Sequence, residues 1–253
     1  MNLNMFSLDD KVAIVTGGNK GLGRGVAVAL ATAGADIVVV SRGLADDTKK
    51  EVEALGKKFL FIQADLTSIE KVDQIVNETV NTFGKIDILV NNAGMIRRDD
   101  SLSFSEKDWD DVMNVNSKSL FFLSQAVANQ FVKQGNGGKI VNTASMLSYQ
   151  GGIRVPSYTA SKSAVKGLTM IMANEWAQYG INVNAVAPGY MATDNTAALR
   201  ADEKRNKEII DRIPAGRWGT PEDLAGTFVY LSSKAADYVN GYTIAVDGGW
   251  LSR

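Results

Sequence analysis

Val12-Ala13-Ile14-Val15-Thr16-Gly17-Gly18-Asn19-Lys20-Gly21-Leu22-Gly23 is the stretch that decides the architecture. Its four leading residues are all apolar, three of them β-branched, which predicts a strand buried on both faces rather than one alternating between core and water. A glycine-rich turn interrupts that run. Three residues separate Gly17 from Gly21, and one separates Gly21 from Gly23. Glycine permits a tight turn and lets another group approach the backbone closely. Residues 24–33 then follow a helical pattern. A strand, a glycine turn and a helix in that order place main-chain N–H groups at a helix N-terminus, where the pyrophosphate of a dinucleotide can bind.

The same alternation continues along the chain. Strands are expected over 37–40, 59–62, 88–90, 139–142, 183–187 and 243–246, and helices over 47–55, 69–83, 106–132, 157–179 and 221–231. Gly180 is well placed to end the helix before it. Residues 191–214 read as a polar, mobile stretch, a candidate lid. No linker, repeat or low-complexity segment divides the chain, so residues 1–253 form a single domain. Apolar strands alternating with helices predict an α/β fold, a Rossmann-type doubly wound parallel sheet flanked by helices on both faces.

Composition narrows the chemistry. At 253 residues and 45% hydrophobic, the chain can bury a large core. A formal net charge of −1 offers no footprint for nucleic acid or a membrane surface. The chain has no cysteine and no histidine, which rules out disulfides and Cys-ligated zinc and removes the commonest metal ligand, so no metal is expected. The first ten residues, MNLNMFSLDD, have neither a cationic start nor an apolar run, and no segment approaches the ~18 apolar residues of a membrane span. A cytoplasmic protein is expected.

With histidine absent, the usual neutral-pH acid/base is missing. Tyr158 and Lys162, four apart in YTASK, share one helical face. A cation beside a tyrosine favours the phenolate; moving its ordinary value near ~10 to about 7 takes roughly 4 kcal/mol.

The TGxxxGxG turn, NNAG at residues 91–94 and YxxxK at 158–162 occur in an order and at separations that resemble the short-chain dehydrogenase/reductase family, across essentially the whole chain. That resemblance implies an NAD(P)-dependent oxidoreductase with four catalytic residues. Tyr158 would be the general acid/base on the substrate oxygen. Lys162 would hold the nicotinamide ribose and depress the tyrosine. Ser145 in NTASM would hydrogen-bond the reacting oxygen, and Asn116 in MNVNSKS would support a proton relay. The resemblance also implies dinucleotide contacts from Gly17, Asn19, Gly21, Leu22 and Gly23 in the turn. Further contacts would come from Ser41 and Arg42, from Asp65 and Leu66, from Asn91, Asn92, Ala93 and Gly94, from Tyr158 and Lys162, and from Pro188, Gly189 and Thr193. NAD is the expected cofactor, although Ser41 stands where NAD-preferring members often carry aspartate. Arg42 would admit the 2′-phosphate of NADP.

Further segments, among them GMIRRDD at 94–100, GGIRVPSYTASK at 151–162 and RIPAGRWG at 212–219, resemble the sugar-acid branch of that family. They imply reversible interconversion of a 2,5-diketo-3-deoxy sugar acid and its 5-hydroxy form, 2-dehydro-3-deoxy-D-gluconate. A carboxylate calls for a guanidinium. Arg154 is the first candidate and Arg97 and Arg98 the second, with Ser145, Tyr158 and Tyr190 completing the substrate contacts. Reduction of another small carbonyl, such as a 3-oxoacyl thioester or a sugar, remains open. A catalytically silent dinucleotide-binding regulator is the alternative of another class. The helices at 106–132 and from 157 carry more apolar surface than one sheet face needs, which favours a homo-oligomer, and the family resemblance implies a tetramer.

Overall fold

The apolar run at 12–15 lies at the centre of one sheet. The computed structural model describes residues 3–253. Its strands and α-helices follow in the order β1 (Val12–Thr16), α1 (Gly21–Thr32), β2 (Asp36–Ser41), α2 (Asp46–Ala54), β3 (Phe59–Gln63), α3 (Val72–Phe83), β4 (Ile88–Asn91), α4 (Glu106–Met113), α5 (Leu120–Gln134), β5 (Gly138–Thr143), α6 (Pro156–Trp176), β6 (Ile181–Pro188), α7 (Ala197–Ala201), α8 (Glu203–Arg212), α9 (Pro221–Ser232) and β7 (Thr243–Val246). The seven strands are ordered β3-β2-β1-β4-β5-β6-β7, and every pairing is parallel. The chain runs outward from β1 to β3, then returns to place β4 on the other side of β1. This reversal opens a crevice at the carboxyl ends of β1 and β4, where ligands of such sheets bind.

Side-chain alternation explains why the strands are apolar throughout. Val12 and Ile14 point into the layer packed with α3, α5 and α6, whereas Ala13 and Val15 point into the layer packed with α1 and α9. All four are 3% exposed or less. Full burial of a valine or isoleucine side chain contributes ~1.5–3 kcal/mol. Glycines in left-handed conformation close three helices: Gly84 after α3, Gly135 after α5 and Gly180 beyond the single 3₁₀ turn that follows α6. Pro156 and Pro221 open α6 and α9, where a missing N–H is harmless.

Three expectations need correction. The helix expected to be continuous over 106–132 is interrupted: a π-helical segment, Asn114–Ser119, separates α4 from α5. The widened turn buries Asn116, Ser117 and Ser119 together, and each bonds outside its own helix: Asn116 to Met95, Ser117 to the Ser161 carbonyl and Ser119 to the Leu66 carbonyl. The stretch at 191–214, expected to be unstructured, holds α7 and α8. Ile209 and Ile213, four apart in an otherwise polar run, insert beside Met146 and Trp250 and anchor it. The first helix starts at Gly21 rather than 24, so two of the turn glycines belong to its first turn.

Candidate active site

The loops after β1 and β4 are joined at the crevice. Thr16 Oγ1 accepts the N–H groups of Asn92 (3.0 Å) and Ala93 (2.9 Å), and Asn92 Nδ2 donates to the Thr16 carbonyl at 3.0 Å. Gly17 is left-handed (φ 66°), and a Cβ there would stand 3.1 Å from both Ala93 Cα and Asn92 Nδ2. A Cβ on Gly23 would collide with the Gly17 carbonyl. Gly21, also left-handed, borders open space. The turn therefore needs glycine for its own closure at Gly17 and Gly23, and stays clear at Gly21, above the N-terminus of α1.

Two of the expected dinucleotide contacts face elsewhere. Asn91 is 4% exposed and donates to Ser124 Oγ (2.8 Å) and Asn142 Oδ1 (2.9 Å), tying β4 to α5 and β5. Asn92 braces the glycine turn with its side-chain amide, so its role toward a ligand is indirect. At the far end, Asn19 Nδ2 reaches the Leu44 carbonyl at 3.5 Å, bringing the turn beside the loop after β2. Ser41 Oγ donates to the Gly43 carbonyl, and no acid ends β2. Arg42 is 71% exposed and 3.9 Å from Asp65, an ion pair too open to hold it. Leu66 is buried and offers only backbone.

The reacting groups converge from three elements. Pro156 starts α6, which carries Tyr158 and Lys162 one turn apart, with the ammonium 5.7 Å from the tyrosine ring centre. Ser145 lies two residues beyond β5 and caps a 3₁₀ turn, Met146–Ser148, accepting the Leu147 N–H at 3.2 Å. Its hydroxyl also lowers the tyrosine, against the effect of burial. Asn116 (1% exposed) accepts the Met95 N–H and donates to the Met95 carbonyl and to Ser161 Oγ (3.0 Å); Ser161 in turn donates to the Tyr158 carbonyl at 2.8 Å. Gly94 completes the ring, for a Cβ there would approach Asn116 Oδ1 to 3.3 Å and Lys162 Nζ to 3.7 Å. The sequence reading overlooked Thr16, Ser148 and Ser161, although Ser148 stands three residues after Ser145 and Ser161 lies inside YTASK.

The electrostatics differ from the sequence-based expectation. Burial raises Tyr158 above its ordinary value, while the bond to Ser145 and the charge of Arg98 pull it down. The Lys162 ammonium, 5.7 Å from the tyrosine ring centre, donates to the Thr143 carbonyl at 2.5 Å. Burial lowers Lys162 itself to about 8. The arginine order changes as well. Arg97 is engaged by Asp108 (3.1 Å) and Asp111 (3.7 Å) on α4, and Arg154 lies 3.8 Å from Asp99. Arg98 makes no ion pair among the described residues, and its charge acts on the Tyr158 hydroxyl. The Tyr190 ring stacks edge-on between Trp218 (5.4 Å) and Trp250 (4.8 Å), which fixes its orientation. Gly189 packs against Asp247, and Thr193 caps the 3₁₀ turn Asp194–Thr196.

These residues fit a nicotinamide dinucleotide. Lys162 is 4% exposed, has three N–H donors and meets one recorded acceptor, so it retains donors for the vicinal hydroxyls of a ribose. Thr143 Oγ1, on the residue whose carbonyl accepts the Lys162 ammonium, is buried without a hydrogen-bond partner. No group of acidic side chains among the described residues could hold a metal, and no helix among them is long and apolar enough to cross a membrane.

Comparison with known proteins agrees with the geometry. Residues 11–204 match the family model for short chain dehydrogenases. The 2-dehydro-3-deoxy-D-gluconate 5-dehydrogenases of Escherichia coli K12 and Dickeya dadantii 3937 are each 64% identical over 253 residues, covering 100% of both chains. A crystal structure from Agrobacterium tumefaciens with bound NADP, assigned as a 2-deoxy-D-gluconate 3-dehydrogenase, superposes with a TM-score of 0.94 at 55% identity, covering 99% of this chain and 100% of that one. With the glycine turn at the sheet crossover and a tyrosine, lysine, serine and asparagine converging beside it, the chain belongs to the short-chain dehydrogenase family.

Proposed function

We propose that this NAD(P)-dependent oxidoreductase interconverts 2-dehydro-3-deoxy-D-gluconate and its 2,5-diketo form. The observation that carries this reading is the convergence of Tyr158 and Lys162 on one turn of α6 with Ser145 and Asn116, joined by the charge of Arg98, which lowers the tyrosine and meets no carboxylate among the described residues. When bound, the nicotinamide accepts a hydride from the substrate carbon, or returns it in the reverse direction. In oxidation Tyr158 takes the proton of the C5 hydroxyl; in reduction it gives that proton back. Ser145 accepts the Leu147 N–H, so its own O–H is a donor, which would pass from the tyrosine oxygen to the reacting oxygen when substrate is bound. Lys162 would hold the ribose and, once turned from the Thr143 carbonyl, place a positive charge below the tyrosine. Asn116 keeps the wall formed by the π-helical segment against Met95 and α6.

Arg98 is the residue we assign to the substrate carboxylate, ahead of Arg97, which Asp108 and Asp111 engage, and of the exposed Arg154, because the charge of Arg98 acts on Tyr158. The ribose end supports use of both dinucleotides. No carboxylate at the end of β2 would repel a 2′-phosphate, and Arg42 and Asn19 flank that position. Exposed Trp109, Phe122, Val132, Met170 and Ile171 on α4, α5 and α6 support a homo-oligomer, for which we favour the tetramer.

A kinetic panel of sugar acids and neutral carbonyl compounds, run with NADH and NADPH, tests the reading. Arg98→Ala should raise KM for the sugar acid ~10- to 100-fold, the range of a lost charge-assisted hydrogen bond, and change turnover of neutral carbonyls less than about twofold. Faster turnover of a neutral carbonyl by the parent protein would reject the substrate assignment.

A further inference from the structure

Ser145 and Tyr158 must meet at one substrate oxygen, yet much of the chain between them lies at the surface. Residues 149–155 contain Gly151 and Gly152, and Gln150 is the only residue of 149–154 that is not exposed. Two hydroxyls join the turn to α6: Ser163 Oγ reaches the Leu147 carbonyl at 3.4 Å from an exposed position, and Ser148 Oγ makes the shorter, more buried link that also holds Ser145. Ser148 Oγ accepts the Ser145 N–H at 3.3 Å and donates to the Lys162 carbonyl at 2.6 Å. The Ser145 carbonyl closes the same 3₁₀ turn by accepting the Ser148 N–H at 2.9 Å. The acceptor in α6 is the carbonyl of the lysine itself, one turn from Tyr158, where a helical carbonyl still has a second lone pair.

From this geometry we infer that Ser148 is a positioning residue for the reaction: it pins the turn carrying Ser145 to the turn of α6 carrying Lys162 and so sets the distance between the serine and tyrosine hydroxyls. The inference rests on the reading of Tyr158 as general acid/base. Ser148 touches neither substrate nor dinucleotide in this role and acts only through Ser145. Two consequences separate it from a merely structural serine. The bond from Ser145 is one of two influences that lower Tyr158, so loosening the turn should let the tyrosine rise. The dinucleotide cradle, built from the loops after β1, β2 and β4, should be unaffected.

The test uses full-length Ser148→Ala and Ser148→Cys, the second keeping the volume with a weak donor. Steady-state kinetics across pH would be combined with dinucleotide titration by fluorescence. For the alanine variant kcat should fall about tenfold, a modest share of the ~100-fold that a 1 Å misplacement can cost. Dinucleotide Kd should stay within about twofold, and the pH at which oxidation reaches half its maximum should move upward, with the cysteine variant in between. Unchanged kcat overturns the inference. So does a joint fall of kcat and dinucleotide affinity with an unmoved pH profile, since that marks general damage. If the alanine variant does not fold, the cysteine variant decides by the same criteria. Tyr158→Phe, run alongside, separates the two failures: an active phenylalanine variant rejects the acid/base reading, whereas an inactive one beside fully active serine variants rejects only the role of Ser148.

Discussion

Lys162 is held at a cost to the fold, and that cost can be measured. Its ammonium is 4% exposed, has no carboxylate near it and bonds one recorded acceptor, the Thr143 carbonyl. Burial moves it from 10.5 to about 8. A shift of that size means that the charged form is disfavoured in the folded protein by about 3 kcal/mol. Lys162→Met keeps the length of the side chain, removes the charge and leaves the Thr143 carbonyl short of one partner, a loss of ~1 kcal/mol. The net expectation at pH 7 is a gain of about 2 kcal/mol, or ~4–8 °C in Tm for a domain of this size, together with loss of activity. The sign follows from proton counts. Between the folded value near 8 and the unfolded value of 10.5, the unfolded chain binds more protons, so the parent protein gains stability as pH rises through that window. The methionine variant lacks that gain. Its advantage should be largest below pH 8 and shrink toward 10.5. Urea unfolding at about pH 7 and about pH 9.5, at fixed protomer concentration because association adds to stability, reads both values. A methionine variant less stable than the parent at neutral pH, or a difference independent of pH, would refute the argument that this lysine is electrostatically strained.

Other outcomes are equally specific. Tyr158→Phe should lower kcat by ~10²- to 10⁴-fold, the contribution of a positioned proton donor, while dinucleotide binding by fluorescence titration persists; retention of a tenth of parental activity would reject the assignment. Arg42→Ala should reduce kcat/KM for NADPH by about tenfold or more and leave NADH within about twofold, as expected for removal of a guanidinium that meets only the 2′-phosphate. Equal losses with both cofactors would place Arg42 against the adenine instead. Light scattering should return four times the 27.2 kDa of the chain. Twice that mass would leave only one of two interfaces, and a monomer would show that the exposed apolar side chains of α4, α5 and α6 need no partner.

What the sequence made legible was whatever chemistry fixes by spacing along the chain. The intervals between Gly17, Gly21 and Gly23 report backbone clearance in one turn, and Tyr158 and Lys162 share a face because they are four apart on α6. What it concealed depends on residues brought from a distance. Arg97, Arg98 and Arg154 are equivalent as letters, and only the fold sets Asp108 and Asp111 against the first, Asp99 near the last, and lets the charge of Arg98 act on the tyrosine. The π-helical turn at Asn116 has no glycine or proline to announce it. It is set by Met95, Ser161 and Leu66, whose polar groups receive the inward side chains from three other segments. The polar run at 191–214 hid a helix for a related reason: two isoleucines four apart suffice once Trp250 arrives from the far end of the chain to cover them. Lys162 joins the two cases. Its place beside Tyr158 was readable, but the direction of its ammonium was not, because the carbonyl that holds it belongs to β5. A lysine that donates to a backbone oxygen, its ammonium 5.7 Å from the tyrosine ring centre, comes closer to the hydroxyl only when a better set of acceptors draws it off. The hydroxyls of a bound ribose are such a set, so binding the dinucleotide would itself switch the charge toward Tyr158. Tyrosine titration should then shift downward on dinucleotide binding in the parent protein and stay fixed in Lys162→Met.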